Sequence, residues 1–159
     1  MKKAINTGCK QAGISLLEVM LSLSIIAIIL VMATRYYFLA SNAQRVNQTR
    51  QQIATIIAGV QLWKESSSAT YAGLGANGIQ TLIDAGDLVK TADYDSSTGN
   101  LFNPWARPVT LTATSSGQSA TIATTVGNMS QCNDLKSSYP TGVCLGTNFS
   151  LDIYGQSTP

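Results

Sequence analysis

Histidine is absent from the 159-residue chain. With it go His-ligated zinc, the Ser-His-Asp and Cys-His nucleophiles, and a side-chain base that titrates near neutrality. Charge is scarce too: 11% of residues are Asp, Glu, Lys or Arg, less than half the roughly 25% of an ordinary soluble domain. Ten cations against eight anions leave a formal +2, too little for an electrostatic footprint on nucleic acid, so no direct nucleic-acid contact is expected. Ser and Thr, 17 of each, take the polar positions instead. Asp84/Asp87 and Asp93/Asp95 are acid pairs without a supporting motif. The chain therefore reads as a non-enzyme with no cofactor and no metal.

What the chain does have is one long apolar run. Ile14 to Ala33 reads ISLLEVMLSLSIIAIILVMA, 20 residues whose one charge is Glu18. Twenty helical residues rise about 30 Å, the thickness of a bilayer's hydrocarbon. No Pro or Gly breaks the run. Lys2, Lys3 and Lys10 precede it with no acid among them, which favours a cytoplasmic N-terminus and a head on the far side. A secretory signal has a shorter apolar stretch of about 7–15 residues and ends at a small-residue cleavage site. Glu18 is expensive at a bilayer centre, about 2.5–3.5 kcal/mol on insertion scales. Two readings of it stay open: an acid tolerated near the end of the span, or a charge paired with a cation from a neighbouring chain.

The segment Gly13-Ile14-Ser15-Leu16-Leu17-Glu18-Val19 resembles the processing signature of type IV pilins and type II secretion pseudopilins. That signature is a basic leader ending in Gly, an apolar first mature residue, Glu as the fifth, then a long apolar helix. The resemblance implies cleavage after Gly13 by a prepilin peptidase, N-methylation of Ile14, and pairing of Glu18 with the terminal amine of an adjacent subunit. Ile14 stands where the family more usually has Phe, Met or Leu. The leader is intermediate in length between those of the two pilin subclasses. Its removal would take away three lysines, leaving 146 residues with seven cations and eight anions.

Beyond Ala33, helix-compatible residues persist to about Glu65. Leu39, Ala43, Val46, Ile53, Ile56, Ile57, Val60 and Trp63 recur at three-, four- and seven-residue steps, an apolar stripe expected to pack on its own domain. Asn42, Arg45, Gln48, Gln52 and Gln61 mark the opposite face. Gly59 reads as a local weakness of about 1 kcal/mol relative to Ala. Ser66-Ser67-Ser68 ends the helix, and Ile79–Ala85 forms a short one stopped by Gly86. From Val109 the period changes to two. Val109, Leu111 and Ala113, then Ile122, Thr124 and Val126, read as a hairpin turning at Ser115–Gln118, and Phe149, Leu151 and Ile153 as a third strand. The expected fold is α+β: a long N-terminal helix, half membrane-spanning and half amphipathic, packed on a small antiparallel sheet of at least three strands. The divisions are a leader over 1–13, a membrane or filament-core helix over 14–34, an amphipathic helix over 35–65, and a head over 66–159.

NPWARPVTL, the hairpin and GNMSQCNDL in the head look most like type IVb and conjugative thin-pilus pilins. Loss of the leader would remove Cys9 and leave Cys132 and Cys144, as a bridge favoured by an oxidising periplasm or as two free thiols. Asp93–Asn100 resembles the start of a calcium loop, but its glycine falls at the seventh place and its twelfth is Pro104, so a solvated turn is favoured. Trp105 reads as a core anchor. The sequons at Asn128 and Asn148 carry no weight in this setting.

The resemblance implies a structural subunit that polymerises through its N-terminal helix into an extracellular pilus. Its partners would be the inner membrane before assembly, the peptidase and assembly machinery, and itself as a helical homopolymer. A minor pilin or a secretion pseudopilin is the alternative within the class. A membrane-anchored periplasmic binding module, for which Glu18 would be dispensable, is the alternative outside it.

Overall fold

The structure, a computed structural model, describes residues 15–66, 70–114 and 116–154. One helix, α1, runs Leu16–Ser66. A 3-10 turn over Ala72–Leu74 leads to α2, Gly78–Ala85, then to strands β1 (Tyr94–Asp95), β2 (Asn100–Phe102), β3 (Pro108–Ala113) and β4 (Ser119–Thr125). Helix α3, Met129–Ser138, precedes β5 (Val143–Leu145) and β6 (Asn148–Tyr154). The fold is the expected long helix with a small antiparallel sheet. Two compact units divide the chain, Met1–Ala40 and Ser41–Pro159.

In the second unit the sheet order is β1-β2-β3-β4-β6-β5, antiparallel at every junction. Its centre is the β3–β4 hairpin with β6 alongside. The register sets Val109 against Thr124 and Thr124 against Phe149, then Leu111 against Ile122 and Ile122 against Leu151. Those residues are buried, while Thr110, Thr112, Ser150 and Asp152 alternate outward. This is the pattern of a sheet with one face on a core and one in water. The buried rows share their core with Val46, Ile53, Ile56 and Val60 of α1.

The apolar stripe starts later than its spacing suggests. Leu39 is 62% exposed and Ala43 is exposed as well; burial begins at Val46 and includes Thr49 and Gly59. The periodic pattern is continuous through both units, but the core residues that cover it belong to the second. Gln52, expected on the water face, is half-buried: its Nε2 donates to Asp93 Oδ2 at 3.2 Å and to the Phe102 carbonyl at 3.1 Å. One residue from Ile53 and four from Ile56, it flanks the stripe where β1 and β2 close over it.

The sheet has six strands. β1, β2 and β5 are two or three residues long, too short for a period of two to show. Helix α3 is also beyond the sequence expectation. Its start is a capping box: Asn128 Oδ1 accepts from Gln131 N at 3.0 Å, and Gln131 Oε1 accepts from Asn128 N at 3.1 Å. The short helix ends as expected, with Gly86 left-handed at φ 85° and its N–H returned to the last turn. Ser67, Ser68 and Ser115 lie outside the described residues.

Gly59 is a packing requirement rather than a weakness. A Cβ there would meet the Asp87 carbonyl oxygen at 2.9 Å and Leu82 Cδ1 at 3.6 Å. The turn after α2 thus crosses α1 where no side chain intervenes. Gly→Ala in a helix interior ordinarily gains up to about 1 kcal/mol. Here overpacking against backbone, about 1–3 kcal/mol, reverses the sign. Gly59→Ala is expected to lower unfolding stability by about 1 kcal/mol, read as a reduced denaturation midpoint with an unchanged m-value.

Candidate functional site

Gly13 and Ile14, the expected cleavage and methylation positions, lie outside the described residues, as do Cys9 and the leader lysines. The described part begins at Ser15, whose carbonyl accepts from Glu18 N at 2.9 Å and Val19 N at 3.2 Å. Helix α1 is therefore under way within two residues of Ile14. Glu18 sits in its first turn, where the unpaired N–H groups and the helix dipole favour a carboxylate.

From Val19 to Thr34 no charge occurs, and the side chains are exposed all round the helix. The helix is long and apolar enough to cross a membrane. Its hydroxyls are turned onto the backbone: Ser22 Oγ donates to the Glu18 carbonyl at 2.8 Å, Ser24 Oγ to Met20 at 2.8 Å, and Thr34 Oγ1 to Leu30 at 2.7 Å. A hydroxyl without a partner is costly in an apolar medium; each of these is already satisfied within its own helix.

In the head, Cys132 and Cys144 are joined by a disulfide with Cα atoms 6.0 Å apart, tying α3 to β5. Cys132 is fully buried. The closed segment is held against α1 by groups that no motif signalled. Arg50 Nη2 donates to the Asp134 carbonyl at 2.7 Å and Nη1 to Asn47 Oδ1 at 3.2 Å. Tyr139 Oη donates to the Arg50 carbonyl at 3.0 Å, and burial raises the Tyr139 phenol above its ordinary value, partly offset by the Arg50 charge. Gln131 Nε2 reaches Asn42 Oδ1 at 3.3 Å. The Asn128-x-x-Gln131 pattern signalled only the cap that positions Gln131. Arg50 had no signal for its contact with the closed segment, because the acceptor there is the Asp134 backbone carbonyl.

Asn103 is a second unsignalled position. Its Nδ2 donates to Thr124 Oγ1 and the Thr125 carbonyl, and its Oδ1 accepts from the Trp105 and Arg107 amides, all within 3.0 Å. The Asn-Pro-Trp turn is thereby fastened to β4, with Trp105 packed on the core.

The acidic turn is closed by its own side chains. Asp95 Oδ1 accepts from Ser97 N at 2.9 Å and Ser97 Oγ at 2.7 Å, and Oδ2 from Thr98 Oγ1 at 2.9 Å. These bonds close the β1–β2 connection as an Asx turn. Among the described residues, no cluster of three or more His, Cys, Asp or Glu side chains is placed to hold a metal. A cleft of about 320 Å³ lies between α1 and the segment before β1, lined by Gln52, Ile56, Leu88, Tyr94 and Leu101. Its one acid, Asp93, already accepts from Gln52.

A family model described as the prokaryotic N-terminal methylation motif matches residues 8–34. The chain thus carries the processing motif of type IV pilin-like and pseudopilin precursors, in front of a helix suited to membrane anchoring. No curated protein and no solved structure matches the chain.

Two outcomes follow from the head. Replacing both Cys132 and Cys144 by Ala should lower stability by about 3 kcal/mol, the loop-closure value for a bridge of this span, read by denaturation with and without reductant; the reductant effect should vanish in the variant. The Ser97 and Thr98 bonds hold the Asp95 carboxyl below the ordinary carboxylate range. A depressed folded value means that the contribution of Asp95 is complete above the unfolded pKa near about 3.9 and is lost as pH falls through the folded value. Amide protection at Ser97 and Gly99, measured against the intrinsic exchange rate at each pH, should therefore fall in that acid window, and Asp95→Asn should flatten the response.

Proposed function

We propose that the chain is a prepilin whose mature form is a structural subunit of a type IV pilus. The methylation motif over residues 8–34, with Glu18 inside an otherwise uncharged apolar run, carries this reading. In it, the precursor is held in the inner membrane by residues 14–34, with the head on the periplasmic side. The prepilin peptidase cuts after Gly13 on the cytoplasmic face and methylates the Ile14 amine. The chain performs no chemistry itself. Its contribution is a transfer of one helix between two apolar environments, from lipid to the core of a filament made of its own copies.

Glu18 gives that transfer its register. In lipid its carboxylate lacks a countercharge, whereas beside the Ile14 amine of a neighbouring copy it gains one at low dielectric, where ion pairs are strongest. A filament subunit sitting one step out of place would leave both charges unpaired, and removing one partner of a buried pair costs about 3–5 kcal/mol. The head, with its disulfide-closed loop, forms the outer surface.

The test is intact-mass and N-terminal sequencing of sheared surface material, paired with Glu18→Leu. A chain beginning at N-methyl-Ile14, abundant outside the cell and lost from that fraction in Glu18→Leu while still processed in the membrane, is the expected result. Normal filaments from Glu18→Leu would sink the pairing mechanism. A processed chain confined to the envelope would move the assignment to a pseudopilin or minor pilin. An uncleaved chain would leave a membrane-anchored binding module.

A further inference from the structure

We infer that Arg35, Tyr36, Tyr37 and Phe38 form a collar that seats α1 at the headgroup level of a lipid bilayer and so fixes how deeply the apolar run is inserted. The inference rests on the reading that residues 14–34 cross the membrane. Tyr36 is the first aromatic residue of the chain, and it opens a run of three. Tyr36, Tyr37 and Phe38 are 60–72% exposed. Tyr37 and Phe38 touch edge to face, with centroids 6.0 Å apart.

The distribution of these rings identifies what surrounds them. Consecutive helical residues point about 100° apart, so Tyr36, Tyr37, Phe38 and Leu39 face four directions round the axis. One helix laid alongside could cover only one of those directions. An environment that encloses the helix can cover all of them, and at this level it must accept both rings and hydroxyls. The phenol oxygens of Tyr36 and Tyr37 need hydrogen-bond partners, while their ring faces gain from leaving water. The boundary between headgroups and acyl chains offers both, which is why Tyr and Trp collect there. Arg35, the first cation after the run, can place its stem along the acyl chains and its guanidinium on lipid phosphate.

The axial spacing agrees. Leu16 to Thr34 is 19 residues, a rise of about 28 Å against a hydrocarbon thickness of about 30 Å. Glu18 lies 17 residues below Arg35, about 26 Å along the axis. With the collar at one interface, Glu18 comes within about 4 Å of the other, where the local cost of a carboxylate is well below that at the bilayer centre. The collar thereby holds Glu18 close to the cytoplasmic surface, at the depth where an incoming amine would meet it.

The test uses the full chain in vesicles of phosphatidylethanolamine and phosphatidylglycerol, with lipids brominated either near the headgroup or near the chain end. Tyr36→Trp reports the collar and Ile25→Trp the middle of the span; the signal of the native Trp63 and Trp105 is subtracted using the unsubstituted chain. The Tyr36→Trp emission should be quenched at least about twofold more by the shallow bromines than by the deep ones, and Ile25→Trp the reverse. Adding Tyr37→Ala and Phe38→Ala should shift the Ile25→Trp depth profile. Deep quenching of Ile25→Trp with none at Tyr36→Trp would overturn the collar while leaving the span intact. An unquenched Ile25→Trp would overturn the span and the collar with it. An unchanged depth profile after Tyr37→Ala and Phe38→Ala would overturn the seating role.

Discussion

The burial of one stripe of α1 organises the head. Thr49, Ile53, Ile56, Gly59 and Val60 are the residues onto which the sheet's inner rows and the turn after α2 close. Removing an Ile or Val side chain from water contributes about 1.5–3 kcal/mol, and three such residues here are fully buried. Gly59 is as much a part of the stripe as the isoleucines, since its missing side chain lets the Asp87 carbonyl approach. Thr49 fits the same face because its hydroxyl is returned to the Arg45 carbonyl at 2.9 Å, which leaves its methyl group to the core.

Polar fastening along the edges of that stripe sets how the sheet closes on it. On one side Gln52 holds Asp93 and the Phe102 carbonyl, fixing the short β1–β2 pair. On the other, Arg50, Tyr139 and Gln131 hold the disulfide-closed segment through one carbonyl or amide each. Most of these contacts are side chain to backbone. They tie short elements with little apolar area of their own, β1, β2, β5 and α3, to the one helix that has it. The bridge from Cys132 to Cys144 acts on the same region by limiting its unfolded freedom.

What could be read from the sequence follows from this division. Periodicity revealed α1, α2, the β3–β4 hairpin and β6, because each carries enough apolar residues to repeat. It overextended the stripe to Leu39 and Ala43, since spacing reports which face is apolar and not where its cover begins. It missed β1, β2 and β5, which are shorter than the pattern needs. Helix α3 has few apolar residues and rests on its Asn128–Gln131 cap, a local signal that an apolar count passes over. Gly13, Ile14 and Glu18 were legible because they form a short linear motif, the kind of pattern that residue identity alone carries. Arg50 and Asn103 make most of their side-chain bonds to backbone groups, and a backbone partner leaves no trace in residue identity.

The charge distribution fits the proposed role in the same physical terms. Lys2, Lys3 and Lys10 are grouped before the apolar run, where in the proposed role they would orient it across the membrane. Cleavage after Gly13 would discard them and leave seven cations, eight anions and the new terminal amine. A subunit destined to be packed among copies of itself benefits from that neutrality, because net charge of one sign would accumulate with every copy added and oppose association. The Ser- and Thr-rich outer face of the sheet supplies hydration without charge. Polarity is thus kept on the surface while long-range self-repulsion is kept low, and the one charge retained within the apolar run is the one whose countercharge cleavage would create.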